Sequence, residues 1–241
     1  MRLDKFLADM NFGSRKEVKA FIKKGLVRVN GEIVKSDKFQ VNELSDEVYF
    51  EEEQVVYQKY FYYLMNKPQG VISATVDDFE ETVLDLFSDE DYREDLFPIG
   101  RLDKDTEGLL VISNDGALAH QLLSPKKHVP KEYYVEVEGL LTTQDVQACA
   151  TGLKIDGGEI CLPAQLQVLS TDEQAECSTA LLVLHEGKFH QVKRMMQALG
   201  KEVTYLKRVR MGQLLLDEQL ALGEYRTLTP EEIRLLQQRE A

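Results

Sequence analysis

The stretch Gly100-Arg101-Leu102-Asp103-Lys104-Asp105-Thr106-Glu107-Gly108-Leu109-Leu110 constrains this chain more than any other. Two glycines bracket a charge-dense loop that runs straight into Leu109-Leu110-Val111-Ile112-Ser113, an apolar run with the length and bounds of a buried strand. Such a loop carries carboxylates at the lip of a central strand, and loops fixed to a rigid scaffold are where reactive groups concentrate. Asp is also an ordinary turn residue, so from the residues alone either Asp103 or Asp105 merely shapes the turn.

Charge divides the chain. Its net charge is −13, yet residues 1–42 carry ten Lys or Arg against five Asp or Glu. A basic head on an acidic body suits contact with a polyanion through the head. In that head Leu3, Phe6, Leu7 and Met10 fall at helical spacing, and Gly13 ends the segment. Ser14-Arg15-Lys16-Glu17 reads as a capping box opening a second helix, with Val18, Phe21 and Ile22 on its apolar face and Gly25 at its end. Asn30-Gly31 between Val27-Arg28-Val29 and Ile33-Val34 predicts a hairpin. The whole stretch RLDKFLA…SRKEVKAFIKKGLVRVNGEIV resembles an S4 domain, a module that binds structured RNA. That resemblance implies that Arg2, Lys5, Arg15, Lys16, Lys19 and Arg28 grip phosphates, which gives affinity more than sequence selectivity. Val48-Tyr49-Phe50 is expected to close this domain, with a linker at about residues 51–58. The division is then 1–58 for the head and 59–241 for the second domain.

Beyond the head, Tyr60 to Lys67 predicts a strand ended by Pro68-Gln69-Gly70, and Thr82 to Phe87 a short helix. Helices are expected over Ala117–Leu123, about 142–151 and His190–Leu199. Strands are expected over 131–139, near 153–155, 164–169 and 179–185, and over 202–210. Thr229-Pro230-Glu231-Glu232 opens a last helix with an N-cap, Pro at its first position and Glu at its third. Strands and helices mix without a regular βαβ alternation, so the fold class is α+β with a largely antiparallel sheet flanked by helices.

GRLDKDTEGLL resembles the catalytic motif of the RsuA-type pseudouridine synthases, in which the Asp of G-R-L-D is essential. YLMNKPQGVISA, the K-x-Y of Lys131-Glu132-Tyr133, and GKFHQVKRM resemble further segments of that family. The resemblance implies that Asp103 works at ribose C1′ or C2′ of a flipped uridine, and that Tyr133 lies under the uracil. It also implies that Lys193 is the cation paired to Asp103 in a largely enclosed site. Arg194 stands beside Lys193 as a rival for that pairing, and from residue type alone Tyr134 is a rival to Tyr133. Arg101 is expected to assist base flipping or hold a phosphate, and Arg194 to contact RNA. The YLMNKPQG tract is assigned to the scaffold under the site.

The reaction is redox-neutral, so no cofactor is expected, and neither a G-x-G-x-x-G nor a P-loop motif occurs. His185-Glu186-Gly187-Lys188-Phe189-His190 has one residue too many for H-E-x-x-H, so zinc is not expected. Cys149, Cys161 and Cys177 stand apart as reduced packing thiols of a cytoplasmic protein. The closest resemblance is to family members that modify one uridine of small-subunit (16S) rRNA, with a monomer acting on rRNA, free or within a partly assembled particle. A synthase acting on large-subunit (23S) rRNA is the first alternative. A non-catalytic RNA-binding or ribosome-assembly factor is the second.

Overall fold

In the computed structural model, which describes residues 1–238, the chain forms two compact units, Met1–Tyr60 and a second that begins at Phe61. The first is built from α1 (Leu3–Asp9) and α2 (Arg15–Lys24) over a small sheet. The capping box is present at α2. Glu17 N donates to Ser14 Oγ, and Ser14 N donates back to the Glu17 carboxylate at 2.9 Å. Strands β1 (Val27–Val29), β2 (Glu32–Ile33), β3 (Val48–Phe50) and β4 (Glu53–Val55) pair antiparallel in the order β2-β1-β3-β4. Strand β4 occupies what the sequence predicts as linker. Glu51 takes a left-handed turn (φ 52°), and this returns Val55 into the core beside Val48.

The basic face of this unit is largely spoken for. Buried Asp4 receives Arg2 at 2.8 Å and Lys19 at 3.7 Å, and Arg2 also reaches Asp37 at 3.2 Å. Lys5 pairs with Asp9, and Arg28 with the Glu51 carbonyl (2.9 Å) and Glu52 (3.4 Å). Of the six cations that the sequence marks for phosphate, Arg15 and Lys16 are exposed and make no ion pair among the described residues.

The second unit is organised on its central strand. Its elements run β5 (Tyr62–Lys67), β6 (Phe97–Ile99), β7 (Glu107–Ser113), α3 (Gly116–Leu123), β8 (Lys131–Glu138), α4 (Thr143–Thr151), β9 (Gln165–Asp172) and β10 (Cys177–Leu184). They continue with α5 (Gln191–Ala198), β11 (Glu202–Met211), β12 (Leu214–Leu215), β13 (Tyr225–Thr227) and α6 (Pro230–Gln237). The sheet order is β13-β5-β7-β11-β8-β10-β9, with β6 on β7 and β12 on β11. Among the described residues every strand pairing in this sheet is antiparallel except β7–β11.

Strand β7 reads as a continuous apolar run because both faces of the sheet are covered. Leu109 and Val111 pack with residues of α3 and α6, while Leu110 and Ile112 pack with the long segment between β5 and β6. A third core lies where α4 and α5 cover β8, β10 and β11.

Two expectations fail locally. Residues 82–87 form turns and no helix, because Asp85 accepts from both Thr82 N (2.7 Å) and Thr82 Oγ1 (2.9 Å) while Ile72 bridges Thr82. Side chains that bond the backbone locally compete with helix in this way. Residues 153–155 form no strand, only a single bridge from Lys154 to Ile160.

The capping box at α6 is reinforced by Arg226, which reaches Glu232 through two nitrogens at 2.8 and 2.9 Å. The Arg226 hydrogen bonds outweigh partial burial and hold the Glu232 carboxyl down at about 2, against an ordinary 4.5. Its contribution to stability is therefore fully present above about pH 4.5 and lost as pH falls toward 2. Thermal melting of Glu232→Gln against wild type should show the largest deficit near neutrality, closing in acid.

Candidate active site

Loop 100–106 is held from beneath by the end of β5 and the segment after it. Leu102 N donates to Ser73 Oγ (3.0 Å), which donates back to Leu102 O (2.9 Å), and Gly70 N donates to Lys104 O (2.9 Å). The strongest clasp is Lys67, whose fully buried Nζ donates to Pro68 O (2.9 Å), Asp103 O (3.0 Å) and Thr106 O (3.0 Å). Burial pushes this ammonium down to about 8, with Asp105, Asp103 and Glu107 opposing the shift. In the sequence Lys67 reads only as the last residue of a strand. The one signal there is a Lys ending an apolar strand just before Pro-Gln-Gly. Lys67→Met should unclasp the loop and lower the single-turnover rate about 10²-fold, the scale for misplacing a reacting group. RNA affinity should stay within about twofold, because Lys67 touches only backbone carbonyls of its own chain.

The loop presents Asp103 at the mouth of a cavity of about 650 Å³. Lys193, near the start of α5, lies 3.3 Å from Asp103 Oδ2 and 2.5 Å from Asp105 Oδ1. Partial burial works to lower the Lys193 ammonium, but Asp105 and Asp103 outweigh it and hold it above its ordinary value. Asp105 is likewise held below the usual carboxylate range, where the Lys193 contact overcomes its burial. The two aspartates are not equivalent: Asp103 lines the cavity, whereas Asp105 points to solvent with 66% of its side chain exposed. Asp103 itself is 30% exposed, so its end of the site is more open than the enclosed setting expected from sequence.

Arg194 does not share this position. Its guanidinium is taken by Asp156 (2.5 Å) and Glu159 (2.5 Å), and it donates to the Phe189 carbonyl at 3.1 Å. Residues 193 and 194 are neighbours on a helix and face different ways, which decides between the two rivals for the Asp103 contact. The same ion pairs occupy Arg194 against its expected role in binding RNA. Arg101 is exposed at the cavity mouth. Tyr133 on β8 lines the cavity, whereas Tyr134, on the other side of the strand, donates to Glu136 at 3.0 Å.

The sequence offers His190 as part of a rejected metal pattern and as the start of a helix, with no role of its own in the site. It takes a left-handed conformation (φ 47°) ahead of α5 and brings Nε2 to 3.6 Å from Asp103 Oδ1. Its ring stacks on exposed Phe189 with centroids 3.7 Å apart.

A carboxylate flanked by a lysine, over a cavity lined by a tyrosine and at the end of a central strand, is the arrangement that the motifs imply. Residues 61–198 match the family model described as RNA pseudouridylate synthase, and residues 1–48 match that of the S4 domain. The chain belongs to the RNA pseudouridylate synthase family. It is 49% identical over its full length, and that of the relative, to an uncharacterized RNA pseudouridine synthase, YtzG, of Bacillus subtilis. It is 42% identical to ribosomal small subunit pseudouridine synthase A of Vibrio cholerae, over 97% of this chain and 98% of the relative. To ribosomal large subunit pseudouridine synthase B of Bacillus subtilis it is 38% identical, over 98% and 95%. A solved pseudouridylate synthase superimposes with a TM-score of 0.68 at 38% identity, covering 98% of this chain and 99% of that one. This synthase is thus an isomerase of RNA uridine with an N-terminal S4 domain, and the reading as a non-catalytic factor gives way. Among the described residues no helix is long and apolar enough to cross a membrane.

Proposed function

We propose that this synthase converts one uridine of small-subunit rRNA to pseudouridine in the cytoplasm, with Asp103 as the reacting carboxylate. The observation that carries the assignment is the Asp103 carboxylate beside Lys193 at the mouth of the cavity that Tyr133 lines. A flipped uridine enters with its base toward Tyr133, since extruded bases are read by stacking in a pocket. The C1′–N1 bond breaks with its electron pair going to N1. The Asp103 carboxylate then either bonds C1′ or takes the C2′ proton, both ordinary carboxylate roles. The base turns and C5 bonds C1′ as the Asp103–C1′ bond breaks or, on the other route, as C2′ regains its proton; the C5 proton then leaves and N1 takes one up, so the product is an isomer. Lys193 supplies the counter-charge for Asp103 once RNA excludes water.

The small-subunit target rests on the likeness to the Vibrio enzyme, and the B. subtilis large-subunit relative keeps 23S rRNA as the second reading. Pseudouridine mapping of total rRNA from cells lacking the gene should show one missing small-subunit site, restored by wild type. A missing large-subunit site would overturn the target and keep the chemistry.

For the S4 domain, Arg15 and Lys16 are the proposed phosphate ligands. Alanine at both should flatten the slope of log affinity against log salt by about one for each phosphate no longer neutralised, with the isomerisation rate unchanged at saturation. Equal slopes would remove them from the interface.

A further inference from the structure

The floor of the cavity holds two cations that no carboxylate neutralises. Lys131 and Tyr133 lie two residues apart on β8, so their side chains share one face of the sheet. Arg208 on β11 sits directly opposite Tyr133 in the antiparallel register and therefore shares that face. All three line the cavity. Arg208 is 1% exposed, far more buried than Asp103 at the mouth. Its Nε donates to Leu109 O at 2.8 Å, and its buried Nη2 has no partner. Lys131 Nζ donates to Val129 O at 3.1 Å, and neither residue makes an ion pair among the described residues. Burial and the charge of Arg208 together push the Lys131 ammonium down to about 8. Like charges held together without a counter-ion, here Arg208 buried and Lys131 half-buried, destabilise a fold, and an apolar side chain of similar volume would serve packing better. Such a pair is suited to negative charge that arrives with a ligand.

We propose that Lys131 and Arg208 stabilise the uracil anion released when the C1′–N1 bond breaks. This rests on the reading of the cavity as the uridine site. With the ribose at Asp103 and the base over Tyr133, the groups at the floor meet the edge of the base, while phosphates remain with the exposed backbone. The departing base keeps the electron pair of the broken bond, shared among N1, O2 and O4. That charge is cancelled when C5 bonds C1′, the carboxylate bond or glycal double bond at the sugar is undone, the C5 proton leaves and N1 is protonated. Negative charge at the base is therefore greatest between the two bonds, and fixed cations there favour the transition state over bound uridine.

The test uses the full-length protein on a transcript of the rRNA segment carrying the mapped uridine, and on the same segment with 5-fluorouridine at that position. Fluorine withdraws electrons and makes N1 the better leaving group, so consumption of that residue depends less on the cations. Lys131→Met should bind RNA within about twofold of wild type and lose about 10²-fold in single-turnover rate on uridine, the scale for one lost oxyanion donor. The loss on 5-fluorouridine should be clearly smaller, and Lys131→Arg should restore most of the rate. Because a half-buried charge with no ion-pair partner is removed, the melting temperature of Lys131→Met should rise by about 2–4 °C. An undiminished rate, equal losses on the two substrates, weaker RNA binding at unchanged rate (a phosphate clamp), or a lowered melting temperature would each overturn the proposal. Wild-type protein that leaves every uridine intact would remove the reading of the cavity, and the proposal with it. Wild-type turnover with an unaffected Lys131→Met removes the proposal alone.

Discussion

Asp103→Asn is expected to lower isomerisation by about 10⁴-fold or more while RNA affinity stays within about twofold. The amide has the shape of the carboxylate but neither bonds C1′ nor takes the C2′ proton. The loop should keep its place, because Lys67 and Thr106 bond the Asp103 backbone carbonyl and not its side chain. Release of tritium from RNA labelled at uridine C5 measures the reaction directly, since that hydrogen is lost when C5 bonds the ribose. Lys193 retains Asp105 as a partner at 2.5 Å, so the variant does not leave this half-buried cation without a carboxylate. Substantial tritium release from Asp103→Asn would move the role to another group, and Asp105→Asn would then be the variant to test.

How far the sequence reveals this site depends on whether a residue acts through its neighbours in the chain or through distant ones. Strand β7, the capping box at Ser14 and the αL residue Gly25 are set by local pattern, and all three are where the residues predict. The clasp by Lys67 depends on carbonyls 36 and 39 residues away, and His190 meets Asp103 only after β8 to β10 have been laid down. No local periodicity carries that information. The basic head illustrates the converse. Its charge count is correct, but Asp4 and Asp37 come together under Arg2 and Lys19 only in the folded unit. A cation's availability to RNA is thus a tertiary property even where its charge is a sequence property.

Gly108→Ala should be the most destabilising single change near the site. Gly108 has φ +102°, and a Cβ placed there would lie 2.2 Å from the Arg208 carbonyl oxygen and 2.9 Å from its nitrogen. Backbone cannot swing aside as a side-chain tip can, so β7 and β11 would have to part at their parallel pairing. Close packing transmits such a displacement to its neighbours. Here the neighbours are the Arg208 guanidinium on Leu109 O and the Tyr205 hydroxyl on Glu107 at 2.6 Å. The expected cost exceeds about 4 kcal/mol, the range reserved for clashes and strained backbone, and the melting temperature should fall by about 10 °C. Gly157→Ala is the control. It has φ +69° with nothing within 4 Å of its Cβ, and should cost only the left-handed penalty of about 1 kcal/mol. Equal melting temperatures for the two variants would mean that left-handed backbone alone fixes Gly108. A large gap between them would place the second glycine of the motif in its close approach to β11, where it sets the distance between the strand that leads from Asp103 and the strand that carries Arg208.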